Sequence, residues 1–329
     1  MKQRSRLAIL VAANLVLAAT LVSGLIVRSS SRTSTEPLAS IDVADVNAVT
    51  IGANADVVLE RTTDRWEIVT ESGRFPARAD RVGPFLDELA NARVLRTVTE
   101  RSDVHADLGV DDAEGRLVRI EAGGAESTFI FGAPAQPGDA IHVRRAGSDR
   151  VVIADAAVDF YFGQPASFWA YLRVFPESVR PGEIVRLRVE AYVAPDVEAE
   201  VPEAYEATVS GQGEEQVWRL RLGSAGDAEQ APASESRIRG LARALADLVG
   251  NGFYAGEQWS DLPEAAVLEF DLADGRSFTA QVRASGDEFV VEAAGPALPG
   301  EEYGGLRYTI PSATYRRLVP DPASLGASE

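Results

Sequence analysis

The sequence predicts an α+β protein in which an N-terminal transmembrane helix precedes two tandem related modules, each a mainly antiparallel sheet with one amphipathic helix. Three observations predict this. Residues 7–27 carry no charged side chain. In each half of the remaining chain, short β-type runs surround one segment of helical period. Landmark residues of the first half recur in the second at a nearly constant spacing.

From Leu7 to Val27 the only polar side chains are Asn14, Thr20 and Ser23. As a helix rising 1.5 Å per residue, such a run spans roughly 30 Å, the thickness of a bilayer's hydrocarbon core. A secretory h-region of about 7–15 residues is shorter. Val22-Ser23-Gly24 offers small residues to a signal peptidase, yet Leu25-Ile26-Val27 carries the apolar run past them. An uncleaved anchor is therefore expected. Lys2, Arg4 and Arg6 precede the run, and Arg28 and Arg32 follow it. The N-terminal excess favours a cytoplasmic N-terminus. The expected location is the cytoplasmic (inner) membrane, single-pass, with the C-terminal domain extracytoplasmic.

Composition excludes several function classes. A net charge of −18 argues against a nucleic-acid partner, since counterion release needs clustered Lys and Arg. The absence of cysteine removes disulfides, thiolate metal sites and cysteine nucleophiles together. Two histidines, His105 and His142, are too few for a three-histidine zinc site. No cofactor or metal is expected.

Residues 28–40, rich in serine and threonine, read as a tether after a short cytoplasmic stretch, 1–6, and the anchor, 7–27. The first module with its aromatic linker takes residues 41–176. Its β-type runs are 46–51, 57–59 and 66–69. A helix follows, with Asp80 as its cap, Pro84 in its first turn and Val82, Phe85, Leu86, Leu89 and Arg93/Val94 at three-to-four spacing. After the turn Asp107-Leu108-Gly109-Val110-Asp111 come strands over 117–121 and 127–131 across Gly123-Gly124, where Phe129 and Phe131 alternate with Thr128 and Ile130. A hairpin over 140–144 and 150–153 completes the module.

The second module, residues 177–320, repeats this order. Strands fall at 185–189, 205–209 and 217–222, then a helix carries Ile238, Leu241, Leu245 and Leu248 behind Ser234 or Ser236. Strands at 267–272 and 277–283 meet across Ala273-Asp274-Gly275, a hairpin signal, and runs at 289–292 and 306–310 close the unit. Trp66 matches Trp218, Val82 matches Ile238, Leu108 matches Leu262 and Ile153 matches Ile310, all in order. That is the mark of an internal duplication. Residues 321–329 read as a disordered tail.

Five stretches together resemble a known bacterial family, the domain of unknown function numbered 4340. They are Arg65-Trp66-Glu67-Ile68, Ala79-Asp80-Arg81-Val82 with Leu86 and Leu89, Asp107-Leu108-Gly109-Val110-Asp111, Phe129-Ile130-Phe131-Gly132 and Leu172-Arg173. The resemblance is best over residues 44–190. It departs from the usual pattern where the turn lacks a following proline and where His142 replaces an aromatic. It implies a membrane-anchored, outward-facing protein encoded beside gliding-motility-type ABC transporter components, and it carries over no catalytic residue.

Candidate chemistry is sparse. SDVHADLGVDD places Asp103, His105, Asp107, Asp111 and Asp112 together, but without the spacing of a calcium loop, and a structural turn explains it as well. Glu198, Glu200, Glu203 and Glu206 read as a solvated charge run. Nucleophile-elbow, P-loop and dinucleotide motifs are absent from the sequence. FYFGQPASFWAYLRVFP, residues 160–176, joins the modules. Its aromatics suit either a packed core or a partner hot spot, for which Phe168, Trp169, Tyr171 and Arg173 are the binding candidates. The functional expectation is a non-catalytic accessory or binding protein, its partner a membrane complex with ABC permease and ATPase subunits. The alternatives are an envelope hydrolase using paired carboxylates and a structural envelope spacer.

Overall fold

A computed structural model of the chain describes residues 36–327, apart from 53–55, 72, 137, 194–199, 211–216, 224–229, 255–258 and 299–304. The predicted anchor 7–27, the stretch 1–6 and Glu198 lie outside the described residues, as does most of the tether. Among the described residues no helix is long and apolar enough to cross a membrane.

The strands are β1 (Val46–Ile51), β2 (Val57–Arg61), β3 (Trp66–Thr70), β4 (Gly73–Pro76), β5 (Arg93–Thr99), β6 (Arg116–Ala122), β7 (Ala125–Pro134), β8 (Ala140–Arg145), β9 (Val151–Asp155), β10 (Ile184–Ala191), β11 (Tyr205–Ser210), β12 (Val217–Leu222), β13 (Gln230–Pro232), β14 (Gly252–Phe253), β15 (Glu264–Leu272), β16 (Ser277–Ser285), β17 (Glu288–Ala294) and β18 (Arg307–Pro311). The helices are α1 (Ala79–Asn91), α2 (Ala166–Trp169), α3 (Glu235–Ala246) and α4 (Ser312–Leu318). The strands form two nine-stranded antiparallel sheets. One compact unit holds the described residues up to Arg61 together with Ala79–Gln164; the other holds Thr62–Arg78 and Pro165–Glu329.

The duplication is visible in topology. Within the first unit the strand order is β2-β1-β6-β7-β8-β9-β5, and in the second unit β11-β10-β15-β16-β17-β18-β14 stands in the same order. Hairpin β3–β4 has its counterpart in β12–β13. In each copy one helix follows that hairpin. Helix α1 buries Val82, Phe85, Leu86 and Leu89, and α3 buries Ile238, Leu241, Ala242 and Leu245. These four pairs coincide at one offset of 156 residues, the step from Val82 to Ile238.

In the first unit, α1 ends at Asn91 rather than continuing through Arg93 and Val94. Those two residues open β5, which pairs with β9 through Val94 and Ala154. The Val94 N–H donates to the Glu36 carbonyl at 3.0 Å, so the last tether residues are ordered against β5. The helix begins at Ala79, which puts Asp80 in the first turn as a favourable acid rather than as the cap. Pro84 falls in the second turn and removes an N–H from the ladder there. Strand β7 is buried on both faces from Phe129 to Gly132, against the expected alternation. The reason is local. Val110 and Val151 pack on Ile130, with Leu108 and Val98 at the margin, so the turn covers the second face.

The second unit shows why the linear boundary at 176/177 does not describe the compact units. The Arg78 N–H donates to the Trp169 carbonyl, and the Tyr171 N–H to the Pro76 carbonyl, both at 2.7 Å. Phe75 on β4 lies 4.0 Å, centroid to centroid, from Phe253 on β14. Residues 62–78 therefore belong with the later part of the chain. The core of this unit alternates as strands should, with Leu268, Phe270 and Leu272 on β15 and Phe278, Ala280 and Val282 on β16 all buried. Phe175 meets Phe270 and Phe278 edge-on at 4.9 and 5.8 Å. Helix α4 was not expected from sequence. Tyr315 anchors it, stacking on Phe289 at 3.9 Å and donating its hydroxyl to the Ala265 carbonyl at 2.9 Å. Nor is all of 321–329 a disordered tail: Pro322–Leu325 forms a 3-10 turn with Pro322 and Leu325 buried.

Candidate functional site

The aromatic stretch 160–176 divides between the two units. Phe160 to Phe162 belong to the first. Phe162 lies 5.2 Å from Phe131 and under the Arg116 guanidinium, and Phe160 is exposed. Phe168, Trp169, Tyr171 and Arg173 belong to the second. Trp169 is wholly buried, with Phe168 against its ring edge at 5.2 Å. Tyr171 is half-buried and donates to Glu177 at 3.0 Å. Burial, followed by the Glu177 carboxylate, pushes its hydroxyl pKa up to about 12. Side-chain packing thus accounts for Trp169, while Phe168 and Tyr171 keep part of their surface in solvent.

Arg173 has a definite structural task. Its Nη2 donates to the Ala246 carbonyl at 2.7 Å and approaches Asp247 at 3.3 Å, while Nε donates to the Phe175 carbonyl at 3.1 Å. A guanidinium at the C-terminus of α3 satisfies an orphan carbonyl and complements the helix dipole. The flanking backbone is pinned by Val174 N–H to Leu248 and Gly250 N–H to Leu172, each at 2.9 Å. Arg173→Ala is expected to lower stability by about 1–2 kcal/mol. Arg173→Lys should recover less than half, because an ammonium cannot span the same fork. All four tryptophans lie in the second unit, so a tryptophan-fluorescence melt checks this.

The His105 loop proves to be a packed turn. His105 is buried, with Nε2 3.0 Å from the Asp149 carbonyl, and its own carbonyl accepts the Val110 N–H at 2.9 Å. Arg144, also buried, donates from Nε to the Val110 carbonyl at 2.8 Å and pairs with Asp112. Gly132 makes the turn's close approach possible. A Cβ there would sit 2.2 Å from the Leu108 carbonyl oxygen. Among the described residues no group of three His, Cys, Asp or Glu could hold a metal ion.

Among the described residues the carboxylates with shifted titration, Asp103, Asp111 and Asp274, move down. The Arg101 hydrogen bond lowers Asp103, the backbone N–H groups of Glu114 and Ala113 lower Asp111, and the Arg276 backbone N–H and side chain lower Asp274. A hydrolase's general acid needs the opposite shift. In the acidic run, Glu206 is engaged structurally, accepting from Arg186 at 3.0 Å and Arg221 at 2.9 Å.

One concave feature of the second unit was not read from the sequence. A cavity of about 490 Å³ lies between α3 and α4, within the second unit. Its apolar surface comes from Val249, 52% exposed, and half-buried Ala244, over the buried Leu248 and Leu318, and Asp247 lines it too. Arg243 and Arg317 line it, and both are exposed. Among the described residues Arg243 has no side-chain partner, and Arg317 has only Thr314 Oγ1, at 3.1 Å. At the helix offset of 156, Arg243 answers to Asp87, Ala244 to Glu88 and Gly240 to Pro84. The charge has reversed between the copies. That reversal was legible in the sequence once the helices were aligned. Arg317 was not, because α4 went unseen. Gly240 adds a second signal. A mid-helix glycine costs roughly 1 kcal/mol relative to alanine. A Cβ there would meet nothing within 4 Å, so no packing demand explains it.

The comparison with protein families bears on both compact units. A family model described as Domain of unknown function (DUF4340) matches residues 66–267. The chain belongs to this family. No curated protein and no solved structure matches it. The DUF4340 match opens at Trp66 on β3 and closes at Val267 on β15, so it takes residues from both compact units. It contains the Leu108–Gly132 contact, the Arg144 clasp and the Arg173 helix cap.

Proposed function

We propose that this chain is a non-catalytic, membrane-anchored extracytoplasmic accessory or binding protein, associated with an ABC-type transport complex. The observation that carries the binding part is the divergence of the two copies. They keep one topology and one set of buried helix positions, yet an arginine and an open cleft stand in the second where acids stand on the first copy's helix. A scaffold kept while its surface changes sign suits recognition. Support for the anchor comes from the uncharged run 7–27 and its basic N-terminal flank. Support for the partner comes from the family resemblance and the neighbours it implies.

The test is mild crosslinking in whole cells, detergent extraction and capture through a C-terminal tag, followed by mass spectrometry. ABC permease and ATPase subunits are expected at near-equal amounts with the chain. Recovery of the chain alone from the membrane fraction would overturn the accessory reading.

A further inference from the structure

We propose that the cleft between α3 and α4 binds a small amphiphilic oxyanion, a carboxylate or phosphate head on a short hydrocarbon body. This deepens the binding reading above and rests on it.

Each part of the ligand follows from a part of the cleft. The head follows from Arg243 and Arg317. Each presents a planar fork of N–H donors that matches an oxyanion. Among the described residues neither is paired with an acid, and Arg317 bonds only Thr314 Oγ1. Asp247 also lines the cleft, and its carboxylate is engaged by Arg173 at 3.3 Å. In a chain of net charge −18, two guanidiniums without an acidic partner among the described residues set a local positive field at one concavity, with Asp247 held by Arg173. The body follows from Val249, 52% exposed, and Ala244, half-buried, which offer apolar surface beside those donors above the buried Leu248 and Leu318. The size follows from about 490 Å³, inside the range of small-molecule pockets and too small for a folded partner.

Gly240 leaves the cleft's mouth clear. Any side chain at this exposed helix position would project into open room beside the cleft. Helix propensity alone favours alanine there. Glycine keeps the mouth open, where the first copy carries Pro84 on its acidic helix.

The experiment uses the full chain in lipid nanodiscs, with empty nanodiscs as the blank, and follows sodium hexanoate by ligand-observed NMR. Saturable binding is expected. Acetate and inorganic phosphate, which are heads without a body, and hexanol, a body without a head, should each bind at least about ten-fold more weakly. Arg243→Ala and Arg317→Ala should each weaken hexanoate about ten-fold, and Gly240→Leu should abolish it without lowering the melting temperature. Absence of saturable hexanoate binding overturns the proposal. So does hexanoate affinity unchanged in all three variants, or acetate binding as tightly as hexanoate. Partner capture is scored separately. Hexanoate binding with no captured transporter sinks the accessory reading alone, whereas capture without hexanoate binding sinks the cleft alone.

Discussion

Replacing Gly132 with alanine is expected to destabilise the first unit by about 3 kcal/mol, the upper end of ordinary overpacking. The added Cβ would stand 2.2 Å from the Leu108 carbonyl oxygen and 2.6 Å from the Val110 side chain. The first of these is backbone, held in a turn whose Val110 N–H already bonds to His105 and whose Val110 carbonyl already accepts from Arg144. Such a neighbour cannot swing aside as the tip of a long side chain can. Either the turn lifts from β7 or β7 bends, and both expose Ile130, which packs against Val110 and Val151. Hydrogen exchange followed by mass spectrometry checks the outcome, since the amides of β6 and β7 should lose protection. Unchanged protection there would mean that the Gly132 contact does not hold the turn in place. Tryptophan fluorescence supplies the contrast, because its four reporters all lie in the other unit.

Replacing Trp169 with alanine is expected to cost about 3–5 kcal/mol, the range for emptying a large buried aromatic site. Trp169 is 0% exposed and sits at the end of the single-turn helix α2. Its carbonyl receives the Arg78 N–H, so the cavity would open where residues 76–78 dock on residues 169–171. Trp169→Phe, which keeps a ring in place, should lose less than half as much. Urea unfolding read by the remaining tryptophans measures both. The same variants separate packing from partner binding in the aromatic stretch. If Trp169 only packs, the folded fraction of Trp169→Phe captures partners as the parent does. Lost capture at undiminished stability would return Trp169 to the binding surface.

Much of the architecture was legible because its signals are local. Val82, Phe85, Leu86 and Leu89 share one face of a helix by spacing alone, and so do Ile238, Leu241 and Leu245. Gly123-Gly124 announces its hairpin because both residues adopt positive φ, at 58° and 79°. The elements that escaped are those whose existence depends on distant partners. Strand β14 is two residues long and pairs with β18 through Gly252 and Phe253. Strand β5 follows a helix with a single residue between them, so its first apolar residue, Val94, reads as one more helical turn.

The candidate site divides in the same way. By itself the sequence determined two modules of shared design, because burial on one face of a strand or helix imposes a period that composition cannot hide. It also determined that Asp87 and Arg243 differ in sign at equivalent places. What only the tertiary structure decided is that Arg243 faces a cleft at all. That depends on α4, whose position is set by Tyr315 stacking on Phe289 and bonding to the Ala265 carbonyl. Those contacts join segments far apart in the chain. The period of a local pattern carries no record of them.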